Sequence, residues 1–184
     1  MLGTLQVSVG DGHEASLGGH RQRMVLALLL LHAQRPLSVD ALIEGVWGDR
    51  PPETARKTLQ VYVSRLRQVL DDGDIVGARN GYMLQAAAHE IDAVRFERLA
   101  AEGRRLSETT PVEAAAVLCE ALRLWRGSAW GELAFEDALS ADAARLHEPR
   151  TEQGCAAHVA DARRRRGTHR SACPARQPTR TTQG

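Results

Sequence analysis

At 184 residues, with 43% apolar residues, 26% charged residues and a net charge of +1, the chain has length for one domain or two small ones with a real core. That total charge gives no argument for nucleic acid, and three scattered cysteines (Cys119, Cys155, Cys173) speak against a disulfide framework. The opening MLGTLQVSVG lacks the charged start and long apolar run of a secretory signal, and the longest apolar run, Met24 to Leu31, is too short to span a bilayer. A cytoplasmic protein without membrane association is expected. The charge is unevenly spread: residues 1–88 carry nine cations and nine acids, 89–150 carry eight and twelve, and 151–184 carry seven arginines and two acids.

In chain order, Leu5, Val7 and Val9 alternate with Gln6 and Ser8 before Asp11-Gly12, and a second short segment runs to Leu17. This pattern predicts an N-terminal β-hairpin. After Gly18-Gly19, HRQRMVLALLLLHAQ reads as a largely buried helix stopped by Pro36. Ser38 is a suitable N-cap for VDALIEGVW, whose Val39, Leu42, Ile43 and Val46 form an apolar face ending at Gly48.

The segment Pro51 to Leu70, PPETARKTLQVYVSRLRQVL, predicts a third helix. Ala55, Leu59, Tyr62 or Val63, Leu66 and Leu70 share one side of it. Lys57, Gln60, Val61, Ser64, Arg65 and Gln68 fall on or beside the other, flanked by Arg56 and Arg67. Arginine and glutamine can each make two hydrogen bonds to a base edge, so this face suits a DNA duplex. The plain alternative is a solvated charged face. Ile75-Val76 and Tyr82-Leu84 then read as two strands joined at Asn80-Gly81, a dipeptide suited to positive φ. Three helices followed by a short hairpin make a winged helix-turn-helix, whose third helix is placed for the major groove.

Residues 1–88 resemble the OmpR-type winged helix, in which an N-terminal β-sheet precedes the helices and a hairpin wing ends the domain. More narrowly, GGHRQRMVLALLLLHAQRPLSVDALIEGVWGDRPPETARKTLQVYVSRLRQVL is similar to the Streptomyces antibiotic regulatory protein (SARP) family, with LIEGVWGDRPP and LQVYVSRLR carrying the match. The OmpR-type resemblance implies groove-facing roles for Lys57, Gln60, Val61, Ser64 and Arg65, and phosphate contacts for Arg56, Thr58 and Arg67. Arg67 serves equally well as an ion-pair partner for an acid of the first or second helix. Related wings carry an arginine that here is displaced by about one position, to Arg79 beside Asn80. Arg21 and Arg23, at the start of the first helix, are further candidates for phosphate contact.

From Asp92 the apolar period is helical again. DAVRFERLAAEGRRL predicts one helix, outlined by Val94, Phe96, Leu99 and Leu106, and Glu113 to Trp125 predicts a second. Phe135 to Arg145 predicts a third, weaker one. EALRLWRG and AARLHEPRTE resemble the start of the bacterial transcriptional activator domain, a helical-repeat module. The fold class expected is therefore α+β: a winged helix over 1–88, then a partial all-α helical-repeat segment over 89–150. The resemblance ends near Pro149. Residues 151–184 contain no Leu, Ile, Met, Phe or Trp, so they are expected to be a disordered Arg-rich tail, and the second module to be truncated. Arg163 to Arg166 would add salt-sensitive attraction to phosphates, or form a solvated tail.

No glycine-rich phosphate loop, His-Glu-x-x-His or nucleophile elbow is present, so no catalytic residues and no cofactor are expected. Cys155-x-x-His158 and His169-x-x-x-Cys173 have zinc-ligand spacings, but ARRRRGT between them supplies nothing apolar to fold around a metal, and no metal is expected. The SARP resemblance implies a transcriptional activator of antibiotic (secondary-metabolite) genes that binds direct repeats in promoter DNA, self-associates in tandem or as a dimer there, and contacts RNA polymerase holoenzyme. Two other readings stay open: a remnant that binds DNA without activating, and a protein-interaction module that does not read DNA.

Overall fold

The computed structural model describes residues 1–8, 14–70, 74–86 and 91–148. The Arg-rich tail, Pro149 and the Cys155/His158/His169/Cys173 set lie outside the described residues. The elements in order are α1 (His20–Leu31), β1 (Leu37–Ser38), α2 (Val39–Trp47), α3 (Ala55–Val69), β2 (Ile75–Ala78), β3 (Gly81–Leu84), α4 (Asp92–Leu106) and α5 (Pro111–Arg123). A 3-10 turn at Gly131–Phe135 follows, and α6 occupies 137–148.

The expected helix-helix-helix-hairpin order is present. Helix α1 buries Gln22 and every residue from Met24 to Leu29, because it is covered on two sides. It packs against α2, α3 and β3, while Leu26 and Leu30 line a cavity of about 330 Å³ together with Met1, Leu5, Ile91 and Asp92. A helix enclosed this way has no use for a polar stripe, which explains its all-round apolar sequence. Helix α2 begins where the Ser38 hydroxyl accepts the Ala41 N–H at 3.1 Å and ends at Gly48, whose φ of 62° few other residues adopt readily. In α3, Ala55, Leu59, Val63 and Leu66 are buried at spacings of four, four and three. The helix starts at Ala55, so Pro51 to Glu53 precede it and do not form its first turn.

Strands β2 and β3 pair antiparallel, Ile75 opposite Leu84 and Ala78 opposite Gly81. The turn's positive φ belongs to Asn80, at 61°. Gly81 is small for another reason: a Cβ there would overlap the Leu37 carbonyl of β1, which pairs with β3 as the third strand of the sheet. The sheet order is β1-β3-β2.

The N-terminal hairpin is reduced, among the described residues, to an isolated bridge between Ser8 and Glu14 and an Ala15 N–H to Val7 carbonyl bond of 2.9 Å. Residues 1–5 do other work. The Leu2 carbonyl accepts the Arg126 N–H at 2.7 Å and the Met1 carbonyl accepts the Trp130 N–H at 2.8 Å, while Leu2 and Leu5 are buried. A short two-stranded hairpin is marginal by itself, and burial of the residues that precede it adds to its support.

In that segment α4 packs on α5, with Gly103 against Leu118. The second helix, expected over Glu113 to Trp125, runs from Pro111 to Arg123, and the proline stands first, where its missing N–H costs nothing. Phe135 closes the 3-10 turn, and the last helix starts after it, at 137. Val94, expected on the apolar outline of α4, is exposed. One apolar cluster includes Leu59 and Leu66 of α3 as well as Phe96, Trp130 and Leu146.

Candidate nucleic-acid interface

The outer face of α3 is built by subtraction. Its apolar stripe is spent on the core, and Arg56, Lys57, Gln60, Val61, Ser64, Arg65 and Gln68 are left exposed. Thr58 is half-buried beside them. Val61 keeps 42% of its surface exposed, an apolar patch within a polar face. Lys57 and Arg65 have no carboxylate partner among the described residues, so their charge is available to an anion. Arg56 differs: it pairs with Asp40 of α2 at 2.7 Å, with both side chains largely exposed. Such a pair is weak and readily exchanged.

Arg67 stands apart from this face. Its Nε donates to the Ile75 carbonyl at 2.7 Å, and its guanidinium lies 5.8 Å from the Tyr82 ring centroid. It joins α3 to the wing from the half-buried side. The ion pair with α1 or α2 weighed for it from the sequence is not what forms; its partners are a strand carbonyl and a ring of the wing. Arg79 and Asn80 are exposed at the tip of the hairpin, beside the turn that the Asn80 conformation closes.

Three residues from three helices stack next to the recognition face. The Trp47 and Tyr62 rings are parallel within 10° at 6.4 Å, and the Arg21 guanidinium lies 5.9 Å from the Trp47 centroid. Arg21 is legible in the sequence as a cation at a helix start, but no local pattern signals this stack, since its members come from separate elements. Arg23, named with it, is instead held by Glu132 at 2.6 Å, and His20 by Glu136 at 2.7 Å. These two acids belong to the stretch leading into α6, so the helical segment grips the first turn of α1.

The junction is electrostatic as well as apolar. Asp92 accepts from the Met1 ammonium and the Leu2 N–H, each at 3.1 Å, and from Arg126 at 2.9 Å. Burial by itself would raise the Asp92 carboxyl, but the Met1 ammonium, the Leu2 N–H and Arg126 outweigh it and hold the group below the ordinary carboxylate range. Among the described residues no group of three or more His, Cys, Asp or Glu is placed to hold a metal, and no helix is long and apolar enough to cross a membrane.

A winged helix-turn-helix with an open polar recognition helix, gripped by a helical module, defines the class. The family description "Transcriptional regulatory protein, C terminal" matches residues 13–84, and "Bacterial transcriptional activator domain" matches 91–181, past the point near 150 where the sequence reading ends its resemblance. The transcriptional regulatory protein EmbR of Mycobacterium tuberculosis is 36% identical over 140 residues, covering 72% of this chain and 36% of that protein. The regulatory protein DnrI of Streptomyces peucetius is 33% identical over 164 residues, covering 82% of this chain and 59% of DnrI. A solved structure of M. tuberculosis EmbR in complex with a low-affinity phosphopeptide superposes with a TM-score of 0.80 at 32% identity, over 88% of this chain and 44% of that one. The chain belongs to the SARP-type family of transcriptional regulators, whose members here are regulators and not enzymes. It spans a third to three-fifths of the length of EmbR and DnrI.

Proposed function

We propose that the chain is a sequence-specific, double-stranded-DNA-binding transcriptional activator acting in the cytoplasm, with the winged helix over 1–88 and the effector segment over 89–150. The observation that carries this is the exposed face of α3, on which Lys57, Gln60, Val61, Ser64 and Arg65 stand opposite the buried Ala55, Leu59, Val63 and Leu66. In the major groove, Gln60, Ser64 and Arg65 read base edges, Val61 offers an apolar contact to a thymine methyl, and Lys57 supplies charge. Thr58 and Arg56, once released from Asp40, reach phosphates, and Arg79 and Asn80 approach the backbone or minor groove from the wing. Arg67 reaches a phosphate only at the expense of its bond to Ile75, so we assign it to holding the wing.

The finer reading follows from membership of the family. The DNA target is a pair of short direct repeats in promoters of secondary-metabolite genes, two copies bind in tandem, and the helical segment meets RNA polymerase. Phe135, 90% exposed next to Glu136, and Val112, 60% exposed, are the apolar groups this segment offers a protein partner. Footprinting on the upstream region of the protein's own gene, at physiological salt with excess random competitor, tests the reading. Protection of repeats one helical turn apart supports it, and absence of protection by folded protein favours a protein-interaction module.

A further inference from the structure

We infer that the groove where α1 and α2 meet the start of α6 is a seat for the chain's own arginine block, Arg163 to Arg166, which clasps the helical segment to the winged helix. The inference does not depend on the DNA-binding reading. The groove has a volume of about 490 Å³. Leu28, Leu31 and Leu37 give it an apolar floor, and Glu44, Asp49 and Asp137 line it as well. All three acids are exposed. None of them is in an ion pair among the described residues, although Arg50 adjoins Asp49 in the chain. Elsewhere on this junction the acids are matched: Glu136 holds His20, Glu132 holds Arg23 and Glu97 holds Arg145. In the groove, three negative charges share one lining in which His32 is the only base. Like charges gathered this way repel, and a cation from outside the described residues completes the site.

The chemistry of the groove selects arginine. An arginine stem lies along leucine side chains while its planar guanidinium makes paired, charge-assisted bonds to carboxylates. One stretch of the chain concentrates that residue: 151–184 carries seven arginines against two acids, four of them consecutive at Arg163 to Arg166. The block can reach the groove. Asp137 stands at the start of α6 and the helix ends at 148, about 17 Å away along its axis. The 15 residues from 148 to 163 extend up to about 50 Å. Tethering places the block at an effective concentration of about millimolar, so contacts that are individually weak at a surface suffice. A second copy is a poorer occupant. Its Phe135, 90% exposed, is followed directly by Glu136 and Asp137, which would bring more negative charge to an acidic groove. Because Glu44 belongs to α2 and Asp137 to α6, a block seated on both holds the two modules together.

The test uses the full chain with Cys119→Ser and Cys155→Ser, so that a nitroxide attaches at Cys173 alone, 7 residues beyond the block. The relaxation enhancement of backbone amides is expected to be largest around the groove, at Gly45, Gly48 and Ala138, and small at Arg79 and Asn80 on the wing tip. It should be lost when Arg163→Ser, Arg164→Ser, Arg165→Ser and Arg166→Ser are combined. The same loss is expected when Glu44→Gln, Asp49→Asn and Asp137→Asn are combined, since these keep the shapes of the acids and remove their charge. Circular dichroism and thermal unfolding establish that both variants are folded. An enhancement that is absent from the groove, or that persists there in both variants, overturns the seat. So does one that follows exposed acids at large, Glu108 and Glu113 included. Mixing nitroxide-labelled protein with unlabelled, isotopically enriched protein separates the copies. Enhancement at Gly45 and Gly48 in that mixture would assign the groove to the tail of another copy and overturn the clasp within one chain.

Discussion

Leu2 and Asp92, 90 positions apart in the chain, are joined by a hydrogen bond of 3.1 Å from the backbone N–H of one to the carboxylate of the other. The same carboxylate holds Arg126. Asp92→Asn, which keeps the shape and removes the charge, is expected to cost about 1.5–3 kcal/mol, the scale of charge-assisted hydrogen bonds. Because the folded carboxyl lies below its ordinary value, its contribution is complete above the ordinary carboxylate range and is lost as pH falls through the folded pKa. Thermal unfolding of wild type and variant should therefore differ at pH 7 and converge in strong acid. A constant difference at all pH values would sink the assignment.

Arg65 and Arg67 are two residues apart and should fail in different ways. Arg65→Ala is expected to cost about 1–3 kcal/mol on the selected duplex and to relax choice at one base pair. Equal weakening on specific and random DNA would assign Arg65 to phosphate alone.

Arg67→Met removes the bond to Ile75 and the contact with Tyr82. It should lower stability by about 1–2 kcal/mol in denaturant melts. The bases selected by the folded fraction should stay the same.

Asp40 neutralises Arg56 in the free protein. Asp40→Asn is expected to strengthen binding to any duplex severalfold and to steepen the salt dependence by up to about one phosphate equivalent. Stability should change by under about 1 kcal/mol, since the pair is exposed. Titrations at several salt concentrations check both.

Gly103→Ala offers a test by sign. In an exposed helix interior this change stabilises by about 0.5–1 kcal/mol. Here the added Cβ would stand 2.4 Å from Leu118 Cδ2 and 2.6 Å from its Cγ, so a net loss is expected. A higher melting temperature would mean that Leu118 moves aside at little cost.

Much of this arrangement was legible from periodicity. The α3 stripe of Leu59, Val63 and Leu66 and the Ser38 cap carry local signals, and α4 matched its expected bounds because spacing and composition agree along its whole length. What escaped was non-local. The two-residue β1 has no period to read and exists through its pairing with Tyr82 and Gly81. Asn80-Gly81 was recognised as a turn, but the need for glycine came from the approach of Leu37, which no local pattern encodes. The N-terminal alternation pointed to a hairpin, and the Ser8–Glu14 bridge is its described part; the ties of Met1 and Leu2 to Trp130 and Arg126 carried no local signal. Within the recognition row, exposure of Gln60, Val61, Ser64 and Arg65 followed from helical geometry. The ties of Arg56 to Asp40 and Arg67 to Ile75 depend on how neighbouring elements pack.

The burial of α1 on both sides has a practical consequence for chimaeras. A graft that exchanges recognition units between relatives by cutting near position 88 would carry Leu26 and Leu30, with Met1 and Leu5, to a new host without Ile91, Asp92 and Arg126 in matching shapes. The salt links of His20 and Arg23 would also lose Glu136 and Glu132. A transplantable cassette must therefore include the rear surface of the first helix and everything that covers it, and swaps confined to the outward side of α3 are the ones that leave the hybrid intact.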